Sequence, residues 1–369
     1  MKINTRELIS GLDLKKKYLI DVNGRVFSAE DYIKQYHIGA EMQRNKKLVP
    51  RYYERPLGLQ LELTSKCNQK CIHCYNQSND KEHNILSSEL SIDEWKAIAN
   101  QAKELDIFQC VISGGEPTIL GDKLFEIMDI LDEASVRFVV ISNGMLLDEY
   151  IVERFKKYKY SWFQISIDGS RKALHNKIRG AEAFEKAINA ANLIKEAGIP
   201  LVIAHSVMKY NIDYLEEMID LCYLLGAIKV ITGPFSYMGR AVRNSDLISL
   251  TDEECKKVYE ICDAKALEYM GRMQVTVSAE ESTSLRVKLA EPNSVMLIRP
   301  NGDVKFDCVS PFKIGNVREN TLLEIWESKG KYVYSSKRLL EYIQTIKSSR
   351  DLLKVHPRVN VDPDELLTI

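Results

Sequence analysis

No apolar run in this sequence is long enough to cross a bilayer, which takes about 20 consecutive residues. The opening stretch, MKINTRELISGLDLKKK, lacks the apolar centre of a secretory signal, so the expected location is the cytoplasm. There is no excess of either charge: 51 Lys and Arg stand against 52 Asp and Glu. That balance gives no pull toward nucleic acid or a lipid surface. One local exception lies between Lys329 and Arg358, where eight basic residues face only Glu341 and Asp351. Internal repeats and low-complexity tracts are also missing. What the chain does have is eight cysteines without an export signal, and in a reducing compartment clustered cysteines bind metal more often than they form disulfides.

Between residues 57 and 270 short apolar runs alternate with segments of helical period. The runs LGLQLEL, FQCVISG, RFVVISNG, WFQISIDG, PLVIAHSV and IKVITGP read as strands that are apolar on both faces. Segments such as SIDEWKAIANQAKEL and AFEKAINAANLIKEAG repeat apolar residues at three and four. Capping boxes at Ser91/Glu94 and Thr251/Glu254 start two helices, and Gly198 and Gly226 end two others. Strand–helix units in series, joined by right-handed crossovers, make a parallel sheet. The expected fold is α/β, an open or partial (β/α)6 barrel of the TIM type with a small α+β C-terminal extension. Residues 1–56 read as an appendage, a hairpin turning at Asn23-Gly24 followed by a short helix near Ala29–Tyr36. Residues 271–330 read as a separate small β unit with a turn at Asn301-Gly302, and residues 331–369 as a basic helical tail. In such a sheet ligands gather beyond the carboxyl ends of the strands. The segments found there, TSKCNQKC, SGGEPT, SNG, SIDGS, HSVMKYN and GPFSYMGRA, are all polar or glycine-rich.

The first of them continues into CNQKCIHC, which places Cys67, Cys71 and Cys74 together with no fourth cysteine nearby. Thiolates select soft metals: zinc, copper(I) or iron–sulfur clusters. Closed zinc needs a fourth ligand, for which His73 and His83 are the candidates, but His73 is pinned between two of the cysteines. A four-iron cluster held by three cysteines keeps one iron open for another ligand. Unmetallated core cysteines are the bland alternative.

CNQKCIHC resembles the Cys-x3-Cys-x-φ-Cys signature of the radical S-adenosylmethionine (radical SAM) superfamily, with His73 at the φ position. The resemblance implies a single [4Fe-4S] cluster whose open iron chelates the amino and carboxylate groups of SAM. It also implies reductive cleavage to methionine and a 5′-deoxyadenosyl radical that takes hydrogen from a substrate, and hence an electron donor such as flavodoxin or ferredoxin. Gly114, Gly115 and Glu116 resemble the family's GGE motif, which holds the methionine amino group; glycines permit close backbone approach and a carboxylate accepts from an ammonium. Ser142, Asn143, Ser166 and Asp168 resemble strand-end positions near the ribose and carboxylate of SAM, and Arg179 an arginine near that carboxylate. Val207 or Met208 would lie against adenine, with simple packing as the alternative.

Further on, IRPNGDVKFDC…IGNVRENTLLEIW resembles the SPASM or twitch extension of radical SAM enzymes that modify peptides. Most of that extension's cluster ligands are missing, since between Cys262 and the C-terminus the sequence has only Cys308. The resemblance then implies an extension that keeps its fold and a lid role without a cluster; an atypical second cluster from Cys255, Cys262 and Cys308 with Asp307 is the alternative. Without auxiliary clusters a redox-neutral outcome is favoured, for which a thiol must return hydrogen. Cys308 is the first candidate and Cys222, at core spacing, a weaker one; Tyr237 and Arg240 stand near the same mouth as substrate contacts, and Glu280 and Glu281 add acidic candidates. The expected substrate is a ribosomally made peptide, undergoing epimerisation or crosslinking. A small metabolite such as a sugar or nucleoside is the second reading, and a non-catalytic iron–sulfur or zinc regulatory protein the third.

Overall fold

A computed structural model describes residues 18–20, 26–78, 88–355 and 365–369. The six expected strands form in sequence order as β3 (Gly58–Glu62), β4 (Gln109–Ser113), β5 (Arg137–Ser142), β6 (Trp162–Ser166), β7 (Leu201–Val207) and β8 (Lys229–Pro234). All are parallel neighbours. They are the centre of a ten-stranded sheet. The first is not apolar on both faces. Leu59 and Leu61 turn outward into the core under helix α2 (Ile92–Glu104), where Trp95 donates its indole N–H to the Leu63 carbonyl at 3.1 Å. Each such leucine contributes about 1.5–3 kcal/mol of burial. Gln60 and Glu62 point the other way, into the concave lumen, because strand side chains alternate faces. Both capping boxes form, and Gly198 and Gly226 take positive φ of 71° and 79° at helix ends.

The segment after residue 270 does not fold as a unit apart. Its strands are shared between the two edges of the barrel sheet: β9 (Gln274–Val277) pairs parallel with β8, and β10 (Val295–Ile298) pairs parallel with β3. The turn at Asn301-Gly302 then leads into β11 (Asp303–Lys305), antiparallel to β10, with Gly302 at φ 88°. The short strands β12 (Phe312–Lys313) and β13 (Gly315–Asn316) follow, and β13 completes the sheet beside β11. The physical reason is the edge: an open half-barrel presents unpaired backbone on both sides, and apolar runs such as VMLI satisfy it.

The chain must cross the barrel's open side to pass from β9 to β10, and it does so as helix α4 (Glu281–Lys288). Arg286, 1% exposed, fixes this bridge by donating to the carbonyls of Ser282, Ile343 and Ile346. The N-terminal appendage packs on it as well. There β1 (Tyr18–Ile20) and β2 (Val26–Ser28) pair as the expected antiparallel hairpin, whose turn lies outside the described residues. The helix that follows, α1 (Ala29–Asn45), is longer than its sequence cue, and His37 meets the Arg286 carbonyl at 3.1 Å.

Helix α5 (Leu322–Ser328) lies beside α2, tied by Arg318 to Glu94 at 2.6 Å and by the Leu322 N–H to Gln101 at 2.8 Å. This helix therefore widens the barrel wall on the side of α2. The tail is helical in α6 (Lys337–Thr345), and its last strand, β14 (Glu365–Leu366), returns to pair with β12. Among the described residues no helix is long and apolar enough to cross a membrane.

Candidate active site

The cysteine loop leaves β3 at the carboxyl end of the sheet and is held there from three sides. Below it, the Gly115 N–H donates to the Thr64 carbonyl at 2.6 Å and the Glu116 N–H to the Lys66 carbonyl at 2.8 Å. A Cβ on Gly115 would stand 2.1 Å from the Lys66 oxygen, so this approach is open only to glycine. On one flank the Ile72 N–H donates to the Ile178 carbonyl at 3.0 Å, at the end of helix α3 (Lys172–Arg179). On the other, Gly239 sits at φ 56° against the carbonyls of Cys74 and Tyr75, and Asn244 donates to the Ile72 carbonyl.

Glu116 ties two strand ends together. Its carboxylate, 1% exposed, accepts from the Thr118 N–H and hydroxyl, the Ser142 hydroxyl at 2.8 Å and the Asn143 N–H at 2.8 Å. Asn143 then reaches Asn68 at 2.7 Å and stands 3.7 Å from the Cys67 sulfur.

Asp168 is the second node. One carboxylate oxygen accepts from Arg179 Nε at 2.6 Å and faces His73 Nε2 at 3.3 Å; the other accepts from the Ser206 N–H at 2.8 Å. Burial alone would raise its pKa, but the Arg179 guanidinium and the neighbouring imidazoles hold it well below the usual carboxylate range. Arg179 in turn lies 3.8 Å from the Cys71 sulfur. The clasp behind this node is Asn211, which donates to the carbonyls of Asp168 and Ser206 and accepts from the Met208 N–H.

Burial pushes the Cys67 thiol up to about 11 and the Cys71 thiol to about 12, and the neighbouring Cys74 sulfur adds to both shifts. These groups become thiolates only against a bound cation's charge. Nearby N–H donors from Asn143 and Arg179 suit the sulfurs in that state. A donor set of three soft ligands on one loop fits an iron–sulfur cluster with an open position better than closed zinc. His73 does not complete a zinc site here, because its Nε2 is turned to Asp168. His83 lies outside the described residues.

Two family models match the chain, the radical SAM superfamily over residues 61–222 and an iron–sulfur cluster-binding domain, SPASM, over residues 290–349. The first spans the cysteine loop and both carboxylate nodes. The chain is a radical SAM enzyme with a SPASM-type extension. It is 28% identical over 281 residues to a PqqA peptide cyclase of Granulibacter bethesdensis, covering 74% of each protein. It is 26% identical over 322 residues to an Fe-coproporphyrin III synthase of Methanosarcina barkeri, covering 80% of this chain and 77% of that one. Among solved structures, Streptococcus suis SuiB bound to its precursor peptide SuiA superposes with a TM-score of 0.65 at 18% identity. That match covers 85% of this chain and 76% of SuiB.

In this radical SAM enzyme Cys67, Cys71 and Cys74 would hold the cluster, and when bound the cluster and SAM supply the 5′-deoxyadenosyl radical. Ser166 is half-buried and faces the lumen in register with Ala204. Other expected residues are placed differently. Val207 and Met208 are wholly buried and pack in the core. Arg240 is not turned to the mouth: its guanidinium donates to the carbonyls of Cys71 and Ser78, and its backbone N–H to that of Cys74, so it braces the cluster loop. Tyr237 packs on Phe235 and meets Arg350 of the tail, lining a cleft of about 320 Å³ with Cys255, Glu280 and Glu281. Cys222 and Cys262 are fully buried core residues. Cys255 and Cys308 line different clefts, so the thiols of the atypical second cluster do not converge. Among the described residues no group of three or more His, Cys, Asp and Glu side chains, the three loop cysteines included, is gathered closely enough to hold a metal ion as the side chains stand.

Cys308 is half-buried and lines a cleft of about 350 Å³ with Gln60, Gln109, Val111 and Lys288, reaching into the lumen from the amino ends of β3 and β4. Burial raises its pKa. Sequence reasoning missed the lumen's polar wall. Tyr75, directly after the last cluster cysteine, donates to Glu62 at 2.9 Å, and Glu62 pairs with Arg299 at 3.1 Å. The available signal was the alternation LQLE, with polar residues at every second position.

His205 carries a pH prediction. It is buried between Thr232 at 2.9 Å and Asn211 at 3.1 Å, and burial lowers its pKa to about 4, so it is neutral in the fold. In the unfolded chain it titrates near 6.5. The unfolded state therefore binds an extra proton between those values, and stability present above pH 6.5 is lost as pH falls through this window, by roughly 2–3 kcal/mol. Urea midpoints at pH 7 and pH 4.5 should show a drop that His205→Gln diminishes. An equal drop in both proteins would remove His205 as its source.

Proposed function

We propose that this enzyme modifies a peptide, by epimerisation in preference to crosslinking, and that Cys308 returns the hydrogen atom. The carrying observation is the position of Cys308, the single cysteine of the extension, in a cleft that opens into the barrel lumen. In the return step the S–H bond breaks homolytically and a C–H bond forms on the substrate. The thiyl left behind is reset by one electron and one proton from the external donor, a flavodoxin or ferredoxin. Gly114, Gly115, Glu116, Ser142, Asn143, Ser166, Asp168 and Arg179 are the residues assigned to SAM, either touching it or shaping its cradle. The resemblance to a peptide cyclase and to SuiB supports the substrate class, and eight free cysteines support a cytoplasmic location.

Two measurements test the reading. Anaerobically reconstituted enzyme should carry about four irons and cleave SAM; about eight irons would mean a second cluster. With a short peptide encoded beside its gene, turnover in D2O should place deuterium at the inverted α-carbon. Cys308→Ala should still form 5′-deoxyadenosine but yield no inverted residue, and inverted product from that variant would eliminate the donor role. A second reading, a small carboxylated metabolite, is favoured by the Lys288 ammonium in the same cleft and by the Fe-coproporphyrin III synthase among the relatives. No inversion with any peptide, together with turnover of such a metabolite, would select it.

A further inference from the structure

We propose that the free edge of β9 (Gln274–Val277) is the docking edge for the peptide, which adds to the barrel sheet as one further extended strand. The inference rests on the peptide reading and adds to it how the chain beyond the reacting residue is held. The ten-stranded sheet ends at β9 on one side. Its ladder to β8 runs through the Gln274 N–H, 2.9 Å from the Ile228 carbonyl, and the Ser278 N–H, 2.7 Å from that of Thr232. A parallel pair engages every second residue, so the N–H and C=O groups of Val275 and Val277 point away from β8. Among the described residues no backbone group pairs with them there.

Sheet edges are normally blunted by lysine, proline or a very short strand. The segment QVTV carries no charge and no proline, and its three β-branched residues suit a pleated neighbour. The other end of the sheet is closed differently: β13 has two residues, and its Asn316 carbonyl accepts from the N–H groups of Glu319 and Asn320. The free edge also leads to the candidate site. Because β9 runs parallel to β8 and so to β3, its carboxyl end stands on the side that carries the cysteine loop. There it continues into the cleft of about 320 Å³ lined by Tyr237, Glu280 and Glu281. At its amino end lies an open cleft of about 410 Å³ lined by Ile228, Met270 and Val275, with Met270 68% exposed. An added strand gains affinity from main-chain bonds and specificity from such pockets for its side chains. Val275 and Val277 present their polar groups at a two-residue repeat, which an extended polypeptide matches and a small metabolite does not.

The experiment combines amide hydrogen exchange and calorimetry on the reconstituted enzyme, with the synthetic short peptide encoded beside its gene as the probe. The Val275 and Val277 amides should exchange fast in the free enzyme and slow by about tenfold or more once the peptide binds. The Thr276 amide, turned to β8 by the same alternation, should be protected in both states. Val277→Pro removes one outward N–H and leaves the ladder to β8 whole, since proline is tolerated on a strand edge. It should weaken peptide binding by about tenfold or more. Its urea midpoint and its 5′-deoxyadenosine formation without peptide should equal the parent's, and Val277→Ile, which keeps the N–H, should bind as the parent does. Peptide bound without slowing of either amide overturns the proposal. So does a Val277→Pro variant that binds like the parent, or one that loses peptide-free SAM cleavage, because β9 would then serve the fold. A parent enzyme that binds no peptide would instead defeat the peptide reading.

Discussion

Asp168→Asn is expected to lower stability by about 3–5 kcal/mol and SAM cleavage by about 10–100-fold. The substitution keeps the shape and the bond from the Ser206 N–H, but it strips the counter-charge from Arg179, whose side chain is only 10% exposed. An uncompensated guanidinium would then stay buried beside the Cys71 sulfur, 3.8 Å away. His73 loses its partner in the same step, since it faces the same carboxylate oxygen. Urea unfolding of the apoprotein and 5′-deoxyadenosine formation by the reconstituted enzyme check the two effects separately. Adding Arg179→Gln should restore part of the stability, because no charge is left buried, while cleavage stays low. A single variant within about 0.5 kcal/mol of the parent would show that Asp168 does not hold this node.

Gly115→Ala should leave the barrel folded and lower SAM cleavage by about 100-fold. Its Cβ would meet the Lys66 oxygen at 2.1 Å, the Lys66 carbonyl carbon at 2.6 Å and the Ser65 carbonyl carbon at 2.9 Å. All three atoms are backbone, so no rotamer change relieves the clash. The loop must move, and Cys67 is the next residue along it. Overpacking costs roughly 1–3 kcal/mol, which the fold survives. Misplacing a ligand is the larger loss. Iron content after reconstitution should fall with activity while the circular dichroism spectrum remains that of the parent. Gly39→Ala is the control: nothing lies within 4 Å of its Cβ, it sits inside α1, and it should stabilise by up to about 1 kcal/mol without touching the cluster. Full iron content in Gly115→Ala would mean the loop yields more easily than its backbone contacts imply.

Much of the site was legible because its parts are short and local. CNQKCIHC, SGGEP, SNG and SIDG each fall at a strand end, and the alternation that predicts the strands also predicts where those ends gather. What a segment does at the gathering point was less legible. GPFSYMGRA was placed correctly at the end of β8, yet Arg240 turned to the carbonyls of the cluster loop and Tyr237 to the tail. Glu62 escaped notice because a carboxylate inside an apolar strand run looks like an interruption; of its partners, Tyr75 lies across the cluster loop and Arg299 far along the chain. The extension was recognised by its pattern but mislaid in space, since β10 pairs with β3 across more than two hundred residues of sequence.

The sequence by itself determined the chemistry: three thiols at a spacing that leaves a metal position open, on a loop that only glycine-rich neighbours can approach, in a parallel α/β barrel. Those properties depend on local spacing and on the period of the apolar pattern, which one chain carries in full. Tertiary structure alone decided which side chains serve that loop. Arg179 reaches the Cys71 sulfur from 108 residues away, and Arg240 grips the Cys71 carbonyl from 169. No periodicity encodes such pairings; they follow from helix and strand packing that brings distant charges into one buried volume, where each must find a partner.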